Sequence, residues 1–154
     1  MKKNLSQKLI SPVLMWIINI IGIIIAFSVF SSEKIIRKNI FGKVLFIAAF
    51  FYFLYFFLLS IKIHKEVVKS ASSITKLLTK DIYGVVRHPI YSGDIVLVWG
   101  IFFYWSSYEV LASAVWLTAV ITFWAFLEEK ALMKRFPREY GKYKKEVPMF
   151  TPKL

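Results

Sequence analysis

The run LISPVLMWIINIIGIIIAFSVF, Leu9 to Phe30, contains no charged residue. A helix crosses roughly 30 Å of hydrocarbon with about 20 mostly apolar residues, and this run supplies that length. Three further stretches follow it. Ile40 to Ile61 carries the aromatic run FFYFLYFF, with Lys43 near one end, where its long stem reaches the interface. Asp94 to Tyr104, preceded by Ile90 and Tyr91, forms a third, and Val110 to Leu127 a fourth. Ser106 and Ser107 read as a tight turn between the last two, flanked by Tyr104, Trp105 and Tyr108 as an interfacial aromatic belt. The expected fold is all-α: an integral membrane helical bundle of about four transmembrane helices, forming a single membrane domain over residues 1–154.

Composition points the same way. Apolar residues of the AVILMFWYC set make up 58% of the chain and aromatics 18%, against roughly 45–50% apolar for soluble domains. A small soluble fold leaves too much of its surface in water to hide such a content. There are no cysteines, which excludes a disulfide framework, a thiol nucleophile and a Cys-ligated metal; no metal site is expected. The net charge of +12 invites a nucleic-acid reading, but the basic residues flank apolar spans, where they set orientation and attract anionic head groups. A cleavable signal peptide also fits poorly: MKKNLSQK is a suitable basic start, yet the apolar run is long and AFSVF makes a poor cleavage site.

Charge asymmetry gives the expected orientation. With the N-terminus inside, only Lys34, Arg37, Lys38 and Lys43 of the 21 basic residues fall outside. Both termini are therefore expected in the cytoplasm, most simply at the cell's inner membrane. Between the second and third spans, Ile63, Val67, Ser70, Ile74 and Leu78 recur at helical spacing among lysines, the pattern of a cytoplasmic basic amphipathic helix. His64 within it is read as an ordinary interfacial side chain. A hairpin returns the chain to the side it left. The segment ending at Tyr91 and the tail beginning at Glu128 should therefore meet at one membrane surface.

Most of the chemistry lies in those two segments. Pro89 disfavours helix at His88, Gly93 permits a bend before the third span, and Ser92 or Asp94 suits a helix N-cap. Glu128 and Glu129 stand at the edge of hydrocarbon and at an expected helix C-terminus, where negative charge is costly unless paired. Arg87 or a cationic ligand is the expected counter-charge. Phe136, Tyr140 and Tyr143 share one face of a C-terminal helix that can pack back onto the membrane or the site. No Gly-x-Gly-x-x-Gly is present, so a soluble nucleotide-binding sheet is not expected.

VVRHPIYSG and, after the hairpin, EEKALMKRFPREYGKYKKEVPMFTP resemble the core of the isoprenylcysteine carboxyl methyltransferase and phospholipid methyltransferase families. The matching positions are Tyr83, Arg87, His88, Pro89, Tyr91, Gly93, Glu128, Glu129, Leu132, Phe136, Tyr140, Tyr143, Val147 and Pro148. Pro137 stands where those families usually have Gly, and Asp81-Ile82 where Gly-Pro is common. The resemblance covers roughly Tyr83 to Pro152 and implies a membrane methyltransferase using S-adenosyl-L-methionine. Residues 1–61 would then be a two-helix anchor and 62–154 the cofactor-binding core.

By the same resemblance, Glu129 would take the cofactor's amino group. Val85, Val86, His88 and Pro89 would line the adenosine, partly through backbone groups, and Tyr83, Tyr91, Gly93 and Tyr140 would complete the cofactor site. Arg87 and Glu128 would orient the reacting groups, and pair with each other at rest. The acceptor would be a lipid-like molecule, a carboxylate or an amine, entering from the bilayer. Two other classes share some of these features: NADPH-dependent membrane reductases of the sterol type have a similar Arg-His-Pro loop, and a non-catalytic protein binding anionic membrane lipids would carry the same basic face.

Overall fold

The computed structural model describes residues 11–37, 39–63 and 77–153. Among these, six helices and no strand are present: α1 (Pro12–Val29), α2 (Ile40–Ile63), α3 (Ile82–Val85), α4 (Pro89–Trp105), α5 (Tyr108–Arg135) and α6 (Pro137–Glu146). The expected amphipathic helix falls largely on residues 64–76, with His64, outside the described residues, as do Lys2, Lys3, Lys8 and Lys38.

Among the described residues three helices, α1, α2 and α5, are long and apolar enough to cross a membrane. This corrects the expected count of about four to about three. The third expected span, α4, has 17 residues, and at 1.5 Å per residue it reaches only about 25 Å. Pro89 fixes its start and Ser106, with φ of 47°, its end. Large side chains point outward along the three long helices, among them Ile24, Phe51 and Phe123, each more than half exposed. In lipid this exposure is the favourable arrangement, since tails are as apolar as the side chains.

The helices pack in the sequence α2, α4, α5, α1. The α2–α4 seam is built on small residues. A Cβ added to Gly93 would lie 3.2 Å from the Phe53 Cα, one on Gly100 2.5 Å from the Ala49 Cβ, and one on Gly42 2.4 Å from the Phe103 carbonyl oxygen. Gly93 is thus not the bend expected before the third span. The helix begins earlier, with Pro89 in its first turn, a position where the missing N–H costs nothing. Asp94 is correspondingly not an N-cap; it lies inside α4 and is buried.

At one end of the bundle the α1–α2 connection meets the hairpin turn, where the Ile35 N–H donates to the Ser106 carbonyl at 2.7 Å. Residues 77–88, the end of α5 and the tail occupy the other end. α5 also continues past Leu127 to Arg135. Glu128 and Glu129 therefore sit within a helix rather than at its C-terminus, and the unfavourable-dipole argument does not apply to them. Pro137, the departure from the family pattern, opens α6 as another first-turn proline.

Tyr140, Tyr143 and Val147 form a buried cluster with Leu132 and Phe136, so the expected aromatic face does pack inward. The Tyr143 hydroxyl donates to the Tyr83 carbonyl at 2.6 Å. Burial pushes the phenols of Tyr83, Tyr140 and Tyr143 above the usual tyrosine range. A phenol whose pKa is higher when folded stabilises fully below its unfolded value, about 10, and that stabilisation falls as pH rises beyond it. Protease sensitivity of the tail is expected to increase between about pH 10 and 11, and replacing Tyr143 with Phe should flatten that rise.

Candidate active site

The tail is what assembles the site. After α6 the chain crosses the Arg-His-Pro turn and is tied to it by main-chain hydrogen bonds. The Arg87 N–H donates to the Pro148 carbonyl at 2.9 Å, the His88 N–H to Met149 at 3.2 Å, and the Lys153 N–H to Val85 at 2.9 Å. Of the backbone groups offered by resemblance to an adenosine, the Val85 carbonyl and the His88 N–H are thus paired with the tail. Val86 is fully buried, packed with Phe56, Ile82 and Tyr83. Gly93 faces Phe53 of α2.

Arg87 is fixed from three directions. Its Nε donates to Glu129 Oε1 at 2.7 Å, one terminal nitrogen donates to the Lys144 carbonyl at 3.0 Å, and the same nitrogen donates to the Val147 carbonyl. The guanidinium therefore pairs with Glu129, not with Glu128 as expected. Glu128 instead accepts from the Tyr91 hydroxyl at 2.8 Å, and its other oxygen stands 3.7 Å from His88 Nδ1. Successive residues on a helix are 100° apart, so twin glutamates address different partners.

Glu129 is the centre of the arrangement. Its side chain is 2% exposed, yet Lys144 Nζ reaches Oε2 at 2.6 Å from a side chain that is 43% exposed. His88 Nε2 stands 3.5 Å from Oε1. A carboxylate in such a place needs paired charge, and here one oxygen meets the buried Arg87 guanidinium and the other a solvent-exposed ammonium. Above it, the His88 and Tyr91 rings stack with centroids 5.5 Å apart and planes within 6°, and Phe150 lies against His88 at 6.0 Å.

Of the residues singled out from the sequence, Arg87, His88, Tyr91, Glu128, Glu129 and Tyr140 gather at this end of the bundle; Tyr83, Val85, Val86, Pro89 and Gly93 support it through packing or backbone contacts. Three participants were not singled out. Lys144 lies one turn beyond Tyr140 on α6, a spacing that brings side chains together. Ser92, read only as a possible cap, donates to the Phe150 carbonyl at 2.6 Å and shares a 2.9 Å hydrogen bond with Tyr52 of α2. Tyr52 carried no signal beyond its place in an aromatic run.

The profile of the phospholipid methyltransferase family matches residues 10–139. A methanethiol S-methyltransferase 1 from Bradyrhizobium diazoefficiens is 32% identical over 95 residues, a match that takes in 59% of this chain. The matched region is 31% of that protein, so this chain spans about a third of that relative's length. No solved structure matches.

Proposed function

The chain belongs to the phospholipid methyltransferase family, and from that premise we propose that it is a membrane methyltransferase that uses S-adenosyl-L-methionine to methylate a lipid-like acceptor. Residues 62–154 would form the methyl-transfer core on the anchor of residues 1–61, with the site at the cytoplasmic face of the cell's inner membrane. The observation that carries the reading is the divided pairing of Glu129. A buried carboxylate holds one permanent cation, Arg87, and one exchangeable ammonium, that of Lys144. The cofactor carries an ammonium of its own, and the donor set fits it.

When bound, the cofactor supplies an activated methyl group on a sulfonium. Glu129 would hold the amino group in the place that Lys144 occupies. The Tyr91 ring would favour a nearby cation, and the buried Tyr140 would line the same site. Arg87, itself locked by two backbone carbonyls, fixes the position of Glu129. Displacement in line needs alignment above all, and a rigid first contact shell supplies it. For an acceptor that must lose a proton, Glu128 or His88 would serve as the base.

The direct test is thermal stability of purified protein with S-adenosylmethionine, its demethylated product, or NADPH. A shift with the first two and none with NADPH supports the proposal; the reverse pattern would move the chain to the reductases. Membranes incubated with methyl-labelled cofactor would then reveal the acceptor among labelled lipids and small molecules.

The role given to Lys144 makes a separate prediction. A ligand that must displace an internal ammonium loses part of its affinity to that competition. Lys144→Ala is expected to tighten cofactor binding by about two- to fivefold, the modest effect of a partly solvated ion pair. Calorimetry on the variant reads it directly, and weaker binding would assign Lys144 to the cofactor site instead.

A further inference from the structure

Where α2, α4 and the tail meet, two hydroxyls and a carbonyl form a chain with one possible direction. Ser92 Oγ donates to the Phe150 carbonyl at 2.6 Å, and the Tyr52 hydroxyl lies 2.9 Å from Ser92 Oγ. A serine hydroxyl has a single proton. Ser92 gives it to the carbonyl, so Tyr52 must be the donor to Ser92. Ser92 is 2% exposed, which shields both bonds from bulk water, and each hydrogen bond in such a chain strengthens the next.

The residue that receives this chain lies against the candidate site. The Phe150 ring stands 6.0 Å from that of His88, tilted by 51°, and it also packs against the buried cluster of Met15, Leu117 and Trp124. His88 depends on ring contacts. Its Nε2 is buried without a hydrogen-bond partner, and its Nδ1 stands 3.7 Å from Glu128, beyond hydrogen-bond range. The imidazole is therefore placed between the two glutamates by its aromatic neighbours. One of these, Tyr91, is stacked on it within 6° and anchored by Glu128. The other is Phe150, anchored by Ser92.

We propose that Tyr52 and Ser92 are positioning residues, a relay that carries the placement of α2 through Phe150 to the His88 ring. Helix α2 is then more than an anchor: it takes part in setting the geometry for methyl transfer. The proposal rests on the methyl-transfer reading for its effect on rate, and on geometry alone for its effect on His88. Loss of either hydroxyl lets Phe150 shift and leaves His88 with one firm ring neighbour. Glu129 keeps Arg87, and the tail keeps its main-chain bonds at Arg87 and His88. The effect should therefore fall on turnover rather than on cofactor affinity.

The chain has two histidines, His64 and His88, so His64→Gln leaves His88 as the single imidazole. The test follows its ring signals by NMR of histidine-labelled full chain in detergent micelles. Tyr52→Phe and Ser92→Ala should each shift those signals, Ser92→Ala more, and the double variant should match Ser92→Ala. In membranes with saturating methyl-labelled S-adenosylmethionine, each single variant should lower the rate about two- to tenfold, the weight of one net hydrogen bond. Calorimetry with the demethylated cofactor should stay within about twofold of wild type, because a charge-assisted contact is left intact. If Ser92→Ala does not fold, Tyr52→Phe decides alone, since it removes one hydroxyl and keeps the ring against Phe56. Unmoved His88 signals would overturn the proposal, even where thermal stability falls, because that pattern belongs to a structural hydrogen bond. Additive effects in the double variant, or a loss of cofactor affinity as large as the loss of rate, would overturn it too. If the wild type bound no cofactor and transferred no methyl group, the methyl-transfer reading would fall, while the His88 signals would still decide the relay.

Discussion

Glu129→Ala is expected to abolish cofactor binding and to release the tail from the Arg-His-Pro turn. The two effects share one cause. Arg87 is 7% exposed along its side chain and Glu129 2%, so removing the carboxylate leaves a buried guanidinium with only carbonyl partners. Breaking one side of a buried pair costs about 3–5 kcal/mol. Arg87 also donates to the carbonyls of Lys144 and Val147, so its displacement disturbs the segment that pairs with residues 85–88. Binding of S-adenosylmethionine by calorimetry should fall at least about a hundredfold, the scale of losing a desolvated charge partner. Proteolysis should cut the tail faster. Glu129→Gln separates the roles: it keeps hydrogen bonds for Arg87 and so preserves the tail, but offers no charge to an ammonium. If Glu129→Gln bound the cofactor at wild-type strength, Glu129 would be a structural counter-ion and the proposed function would lose its main support. The double variant Arg87→Ala with Glu129→Ala should be less damaged in stability than the sum of its parts.

Much of this arrangement was legible in the chain itself, because it rests on parity. A hairpin returns to the surface it left, so Arg87 and Glu129 had to share an end of the bundle, and they are 2.7 Å apart. Which glutamate meets Arg87 was not legible. That depends on the rotation of α5 about its axis, which its packing against α1 and α4 determines. The start of α4 was misplaced for a different reason. Gly93 and Asp94 carry strong local signals for a bend and a cap, whereas Pro89 is equally at home in an extended turn or a first helical turn. Tertiary contact decides between them: Gly93 admits Phe53 of α2, and the helix must already be formed there. The tail's register on residues 85–88 comes from main-chain hydrogen bonds, which leave little trace in side-chain pattern.

The seam between α2 and α4 carries the second large effect. Gly100→Ala would set a methyl group 2.5 Å from the Ala49 Cβ, with the Phe46 Cα next nearest at 3.4 Å. Neither neighbour has a flexible side-chain end to swing aside, so the helices must separate. Overpacking of this kind costs about 1–3 kcal/mol, and within a membrane close approach of small residues is itself a main source of helix association. Separation would also tilt the start of α4, which carries His88 and Tyr91, and would stretch the Tyr52–Ser92 hydrogen bond that ties α2 to the tail. Gly100→Ala is therefore expected to lower both thermal stability and cofactor affinity, although it lies about three turns beyond His88, the residue that precedes α4 and stands beside Glu129. The second-site change Ala49→Gly removes the offending methyl from the facing helix and should restore both measurements together. Recovery of stability without recovery of affinity would show that α4's position does not govern the site; failure of stability to recover would show that the contact is not the one-to-one fit the seam implies.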